Sequence, residues 1–562
     1  MRGAVSESCG VGADTSGVCL PPGLCVSVTT TSFEPDPVDS RSRRAPSPGR
    51  ASLWERAAPW TESPAFIAVA LLAMVVVSVV LRTRQLGFHY WGDEAISIGI
   101  ASHPLSELPR LLRQDGSPPL YYVLLHFWMG AFGEGEVATH TLSLLFALLT
   151  IPAAYWAAST FDRRAGIFAA LLAAGLPFLD AYAQETRMYS LMVLLTICVA
   201  GAFVRGFVDR RRRYVLVFAV ALVAAVYTHD WGIYLAAASA VAIGVCVWEA
   251  DPALRRRIAL DGIGAYAILA ALYAPWLPSA IFQVRHTGAP WASPTVLWSI
   301  TQALYFVVGD RSEAVALLLG GGAGLVAVQR LSQRGDRLRL ALWSLLVLGF
   351  LTLLIAWADG KIELSWAPRY IAVAVGPLLV LFGLGLSRAG RLGIVATVLI
   401  WCLWITQPQA HSPYMKSNVA AVARAERHRL GANALVLSTQ PEQVPVIAFY
   451  LPEVHRFATP IATHVADPRV VDWVDALGLL ERSTPRRVLA PALATVAPGA
   501  PVALVIPLTL PQASRYLRLV NRSSHTWLHY LLDDRQFRFI GATQRFAPEA
   551  VNAVRMYLFR RI

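Results

Sequence analysis

Two adjacent carboxylates set among aromatic rings, His89-Tyr90-Trp91-Gly92-Asp93-Glu94, follow the first long apolar run of this chain. Acids at a membrane surface are costly unless hydrated, paired or put to use, and one use is to take the proton of an attacking hydroxyl. The same two residues suit the positive end of a helix over Ala95–Ser102, and the two roles are compatible. A second acid, Asp115, sits in Gln114-Asp115-Gly116-Ser117-Pro118-Pro119. It is either a further reactive group or part of the turn that Gly and the Pro pair enforce. Glu185, Arg187 and Tyr189 share the segment Gln184–Tyr189, and Arg369 and Tyr370 follow Pro368. An arginine presents a planar donor fork that fits phosphate as well as carboxylate, so each of these two binds a phosphate or a nearby acid. Tyr227, His229, Asp230 and Trp231 form another polar turn, where His229 is a hydrogen-bonded interface residue or a direct participant.

Composition identifies the scaffold that must position these groups. The 562 residues are 56% hydrophobic and 15% charged, with mean hydropathy +0.50, whereas soluble domains carry about 25% charged residues. Apolar runs at 65–81, 137–159, 165–182, 189–207, 214–229, 231–248, 258–280, 312–329, 339–357, 369–387 and 391–406 account for the deficit. A bilayer core of about 30 Å takes roughly 20 helical residues. Eleven spans are therefore expected, and soluble, fibrous and wholly disordered classes are excluded. The six cysteines include no CxxC, so neither a disulfide framework nor a cysteine metal site is expected.

Charge decides the ambiguous run 118–133. If it does not cross and the basic tail is cytoplasmic, the inner loops hold 16 basic residues, among them Arg163, Arg164, Arg210 to Arg213 and Arg255 to Arg257. The short outer loops then hold five: Arg187, Arg285, Arg311, Lys361 and Arg369. A crossing would invert that bias, so the segment is expected to lie along the outer interface within a long loop, 82–136. The net charge of +13 is thereby explained without a nucleic-acid partner. Residues 1–63 read as a disordered cytoplasmic tail, 64–406 as the membrane domain and 407–562 as a small extracytoplasmic α/β domain.

No GxxxxGK[ST], no HExxH and no outer-loop Asp-x-Asp occurs, so neither an ATP-driven module nor a nucleotide-sugar site is expected. Asp93, Asp115 and Glu185 could gather a divalent cation, although no spacing demands one, and no cofactor is otherwise implied.

The succession WGDEA, PPLYYVLLHFW, QETRMYSL and APRY resembles the bacterial integral-membrane GT-C glycosyltransferases, in the branch of protein O-mannosyltransferases and aminoarabinose transferases, over roughly 64–390. The resemblance implies an all-α polytopic bundle with interfacial helices in the first outer loop. It also implies transfer of a sugar from a polyprenyl-phosphate carrier to a hydroxyl on a glycan, lipid or protein acceptor, with inversion. By position, Asp93 becomes the base, with Glu94 as alternate or helper. Arg187 and Arg369 become phosphate binders, with Tyr189 and Tyr370 beside them. Several relatives carry a basic residue directly before the Pro pair. This chain has Ser117 there, which leaves Arg113 or an outer arginine to fill that role. The competing reading is a transporter or flippase of lipid-linked sugars, which would be expected to show internal repeats and midplane charge.

Overall fold

A chain in hydrocarbon must satisfy its own backbone hydrogen bonds, so each long apolar run folds as helix. The computed structural model describes residues 63–292, 294–333, 335–362, 365–406, 416–508, 514–544, 550 and 552–562. The tail expected over 1–63 lies outside them but for Ser63. Helix α1 (Pro64–Arg82) is followed by three short helices, α2 (Gly92–Ala101), α3 (Leu108–Asp115) and α4 (Leu120–Phe132). Then come α5 (Glu136–Ala158), a bent pair α6 (Arg163–Gly175) and α7 (Pro177–Ala183), α8 (Tyr189–Val208), α9 (Arg213–Thr228) and α10 (Gly232–Glu249). A second bent pair, α11 (Pro252–Tyr273) and α12 (Leu277–His286), leads to short α13 (Ser299–Val308). The bundle ends with α14 (Arg311–Leu331), α15 (Arg337–Ile362), α16 (Pro368–Arg388) and α17 (Arg391–Thr406).

Among the described residues, seven helices are long and apolar enough to cross a bilayer, and the pairs bent by 50° and 74° raise that to nine. The two remaining apolar runs fold as α9 and α17, each of 16 residues. On α1, Val69, Leu72, Val76 and Val80 stay exposed, a stripe that only lipid or another protein would cover. At the other extreme, α8 and α16 are the most enclosed spans. They approach closely because a Cβ on Gly376 would fall 2.3 Å from the Ile197 backbone nitrogen.

Helix α4 is shorter than a bilayer core. Its 13 residues extend only about 20 Å, and both flanks meet the same loop. Tyr122 Oη donates to Asp115 at 3.3 Å before it, and Tyr90 Oη donates to the Glu134 carbonyl at 2.9 Å after it. At the far end of the bundle the arginine-rich loops converge: Arg337 pairs with Asp209 at 2.6 Å, Arg388 with Asp162 at 2.8 Å and Arg212 with Asp261 at 2.7 Å.

Beyond the bundle, β1 (Leu435–Ser438), β2 (Arg456–Ala458), β3 (Pro501–Pro507), β4 (Phe537–Ala542) and β5 (Val554–Arg561) form one sheet in the order β2-β1-β3-β5-β4. Strands β2, β1 and β3 are parallel, whereas β5 runs antiparallel to β3 and β4. Helix α18 (Arg515–Asp533) buries Tyr516, Val520, Trp527 and Leu531 along one face, as an amphipathic helix must. The entry to this segment is stitched to β5: Asn418 Nδ2 donates to the Val554 carbonyl at 2.9 Å, and Val554 N donates to Asn418 Oδ1 at 2.8 Å.

The sheet-bearing segment seats on α2 and the residues around α3 and α4. Trp473 N donates to the Gln114 carbonyl at 3.0 Å, Tyr450 Oη receives Tyr90 N at 2.8 Å, and Arg469 pairs with Glu134 at 3.1 Å. The approach requires glycine, since a Cβ on Gly99 would stand 1.7 Å from the Arg469 carbonyl oxygen. Gly99→Val is therefore expected to weaken this seat by about 1–3 kcal/mol. Limited proteolysis of the purified protein should then cut within 416–508 faster than in the wild type, and an unchanged rate would show the contact to be dispensable.

Candidate active site

Helix α2 begins where the sequence places its acids in the first turn, where the helix dipole favours negative charge. Asp93 and Glu94 then diverge. Asp93 is partly open, and its carboxylate meets Arg369 Nη2 at 3.3 Å. Glu94 is fully buried. Its oxygens receive His140 Nε2 at 2.7 Å, Thr186 N at 2.8 Å, Lys416 Nζ at 3.0 and 3.1 Å, and Trp91 N at 3.3 Å. Burial alone would raise its pKa, but Lys416 and then His140 outweigh burial and hold the carboxyl well below the ordinary range. Four donor groups leave Glu94 no lone pair open to a substrate. The alternate or helper base expected from the sequence is thus a structural carboxylate.

The two arginines come from the start of the two most enclosed spans. Arg187 Nη1 donates to Ser97 Oγ at 3.0 Å and to the Asp93 carbonyl at 3.3 Å, and its guanidinium lies 5.9 Å from the Tyr189 ring. Arg369 lies over Trp91 at 5.7 Å and Tyr370 at 5.5 Å. Arg187 Nε, Arg369 Nε and the Tyr189 hydroxyl are buried, and among the described residues none has a hydrogen-bond partner. Buried donors left unpaired cost about 1–3 kcal/mol each, so this cluster has unmet capacity for an acceptor such as an anion.

His229 packs edge-on to Tyr370 at 4.6 Å, and its Nδ1 accepts from Trp231 N at 3.1 Å. Burial, with Arg187 and Arg369 adding, lowers its pKa to about 3. The ring is therefore neutral, with Nε2 protonated, and can donate but not act as a cation. Burial pushes the Asp115 carboxyl up, against donation from Ser117 and the charge of Arg187. Glu185 accepts from Trp91 Nε1 at 2.7 Å, and burial raises it to about 7 against the pull of Lys416. Burial, with Asp115 adding, likewise raises Asp230 to about 7.

Of the residues singled out in the sequence, Asp93, Arg187, Tyr189, His229, Arg369 and Tyr370 form one cluster, with Asp115 and Glu185 on its flanks. Arg113 does not join them, since its guanidinium stacks on Phe282 at 4.0 Å. No group of three or more His, Cys, Asp or Glu placed to hold a metal occurs among the described residues. Two residues with central positions were missed, His140 and Lys416. His140 sits within an apolar run and carries no local signal. Lys416 carried one: it is one of only two lysines among 49 basic residues.

A bundle of long apolar helices with three short helices packed at one end, and a small sheet domain seated on them, is a fold already seen in solved structures. Two solved structures of ArnT from Cupriavidus metallidurans share it. The structure bound to undecaprenyl phosphate is 14% identical, with 89% of this chain and 98% of that chain covered at a TM-score of 0.57. The apo structure is 15% identical, with 78% and 93% covered at 0.52. At such identity the likeness establishes the fold. No family model and no curated protein sequence matches this chain.

Between their ordinary values and about pH 7, Glu185 and Asp230 bind more protons in the folded protein than in the unfolded chain. Their contribution to stability accordingly falls as pH rises through that window. The purified protein is expected to melt lower at pH 8 than at pH 6, and the double variant Glu185→Gln/Asp230→Asn to narrow the difference. An undiminished difference in that variant would remove both acids from the pH response.

Proposed function

We propose that this protein is an inverting glycosyltransferase that moves a sugar from a polyprenyl-phosphate carrier to an acceptor hydroxyl. The observation that carries this reading is the pair Arg187 and Arg369 beside Asp93, with buried unpaired donors on both arginines and on Tyr189. Both arginines head spans whose N-terminal ends carry positive dipole charge, so the location suits a phosphate twice over. The fold shared with a protein captured with undecaprenyl phosphate supports a lipid-borne donor.

In this scheme Asp93 takes the proton as the acceptor oxygen forms its bond to the anomeric carbon. The bond from that carbon to the phosphate oxygen breaks, and its electron pair leaves with the phosphate. Arg187 and Arg369 receive the charge, and the neutral His229 and the Tyr189 hydroxyl are further donors. Attack opposite the leaving phosphate inverts the anomeric centre. A phosphate so stabilised needs no acid to depart. The reaction runs on the outer face of the plasma membrane, with the N-terminus cytoplasmic and the domain over 407–562 extracytoplasmic. Acceptor hydroxyls belong to a glycan, lipid or protein. A base and two arginines facing each other suit bond exchange better than the passage a flippase would need.

Asp93→Asn is expected to lower transfer from polyprenyl-phosphate sugars about 10²- to 10⁴-fold while retaining undecaprenyl-phosphate binding. Arg187→Ala and Arg369→Ala should each weaken that binding about 10- to 100-fold, as loss of a charged hydrogen bond does. Full turnover in Asp93→Asn would exclude it as the base. Sidedness is checked by labelling cysteines introduced singly at Ser117 and Gly335: the first should react from outside intact cells, the second only after permeabilisation.

A further inference from the structure

Lys416 opens the described part of the segment that carries the sheet, yet its side chain is only 9% exposed and reaches into the centre. Its three donors meet three acceptors: Glu94 Oε1 at 3.0 Å, Glu94 Oε2 at 3.1 Å and the Gln184 carbonyl at 2.7 Å. Glu94 also receives Thr186 N at 2.8 Å. The residues being joined are thus immediate neighbours of the reacting ones, Glu94 next to Asp93 and Thr186 next to Arg187. The first loop and the 184–188 turn have no shared secondary structure to fix their spacing, and this ionic knot ties them together at its core.

The residue type is informative. Arginine supplies nearly every basic position in this chain, and only Lys361 and Lys416 are lysine. Lys361 lies over the Trp357 ring at 5.0 Å. At 416 a compact point charge with three rotatable donors fits three convergent acceptors, which a rigid planar fork cannot do without spreading them.

We propose that Lys416, acting through Glu94, is a positioning residue that sets the separation between Asp93 and Arg187, and so between the proton acceptor and the phosphate cradle. The proposal rests on the transferase reading above. It makes the segment after the last span a working part of the catalytic centre rather than an appended domain.

The test compares full-length wild type with Lys416→Met, Lys416→Arg and Glu94→Gln/Lys416→Met. Lys416→Met is expected to raise amide exchange in peptides covering 90–97 and 184–190 together. It should lower kcat about 100-fold, as a misplacement near 1 Å does, with donor KM roughly unchanged. Lys416→Arg keeps the charge and should still fall well short of wild-type kcat. The double variant removes the uncompensated buried carboxylate, so its melting temperature should recover while kcat stays low. Recovery of kcat along with melting would reduce Lys416 to a folding role and overturn the proposal. Unchanged exchange in both peptides of Lys416→Met would overturn it too. Absence of transfer by the wild type would count against the transferase reading alone, since the exchange measurement still decides whether Lys416 ties the two loops.

Discussion

Everything at this end of the bundle depends on holding two guanidinium groups, one buried and one about a fifth exposed, against the backbone and side chain of one aspartate. Each buried ion costs several kcal/mol in lost hydration unless the structure returns it. Arg187 and Arg369 are placed at the heads of the two most enclosed spans, where the helix dipoles add to their positive field rather than relieve it. The compensation comes from Asp93, from the carbonyl and hydroxyl that receive Arg187, and from the surrounding tyrosine and tryptophan faces. A second set, built from Glu94, Lys416 and His140, lies immediately behind. The centre therefore divides into a saturated layer that fixes geometry and an unsaturated layer with capacity left for an anion.

Much of this arrangement was legible because membrane sequences carry sidedness. The excess of arginine in alternate loops argues against a crossing at 118–133, and α4 and its flanks bond to residues of the same segment, 82–136. Once the loops were sorted, Asp93, Arg187, His229 and Arg369 had to share one end, whatever their distances. The roles of the paired acids were not legible. Asp93 and Glu94 are adjacent and chemically alike, and only their direction out of the first turn of α2 separates a partly open carboxylate from a saturated one. Lys416 escaped for a different reason. Its contact with Glu94 spans 322 positions, and no periodicity or local motif encodes a pairing of that range. The strand order β2-β1-β3-β5-β4 was hidden likewise, since parallel neighbours leave no hairpin signal in the sequence.

Fold and site contribute separate arguments. An architecture shared at 14–15% identity constrains where a substrate can approach, but the same scaffold can serve different chemistries through its loops. In this chain Ser117 stands directly before the Pro pair and Arg113 stacks on Phe282 outside the cluster. The two span-heading arginines are accordingly the cationic groups that face Asp93, and the positive charge contributed by the sheet-bearing segment is spent on Glu94 instead.

The stitching of Asn418 to Val554 also sets a schedule. These partners are 136 positions apart, and Lys416 stands two residues before the first of them. During synthesis the spans and the first loop emerge long before β5 does, and earlier segments fold first. Until β5 has been made and has paired, the backbone that delivers Lys416 lacks its anchor. The acids and arginines of the bundle thus precede in the chain the strand that anchors Lys416. Any anchoring of Lys416 through this pairing must therefore await synthesis of β5, the last strand of the sheet in chain order.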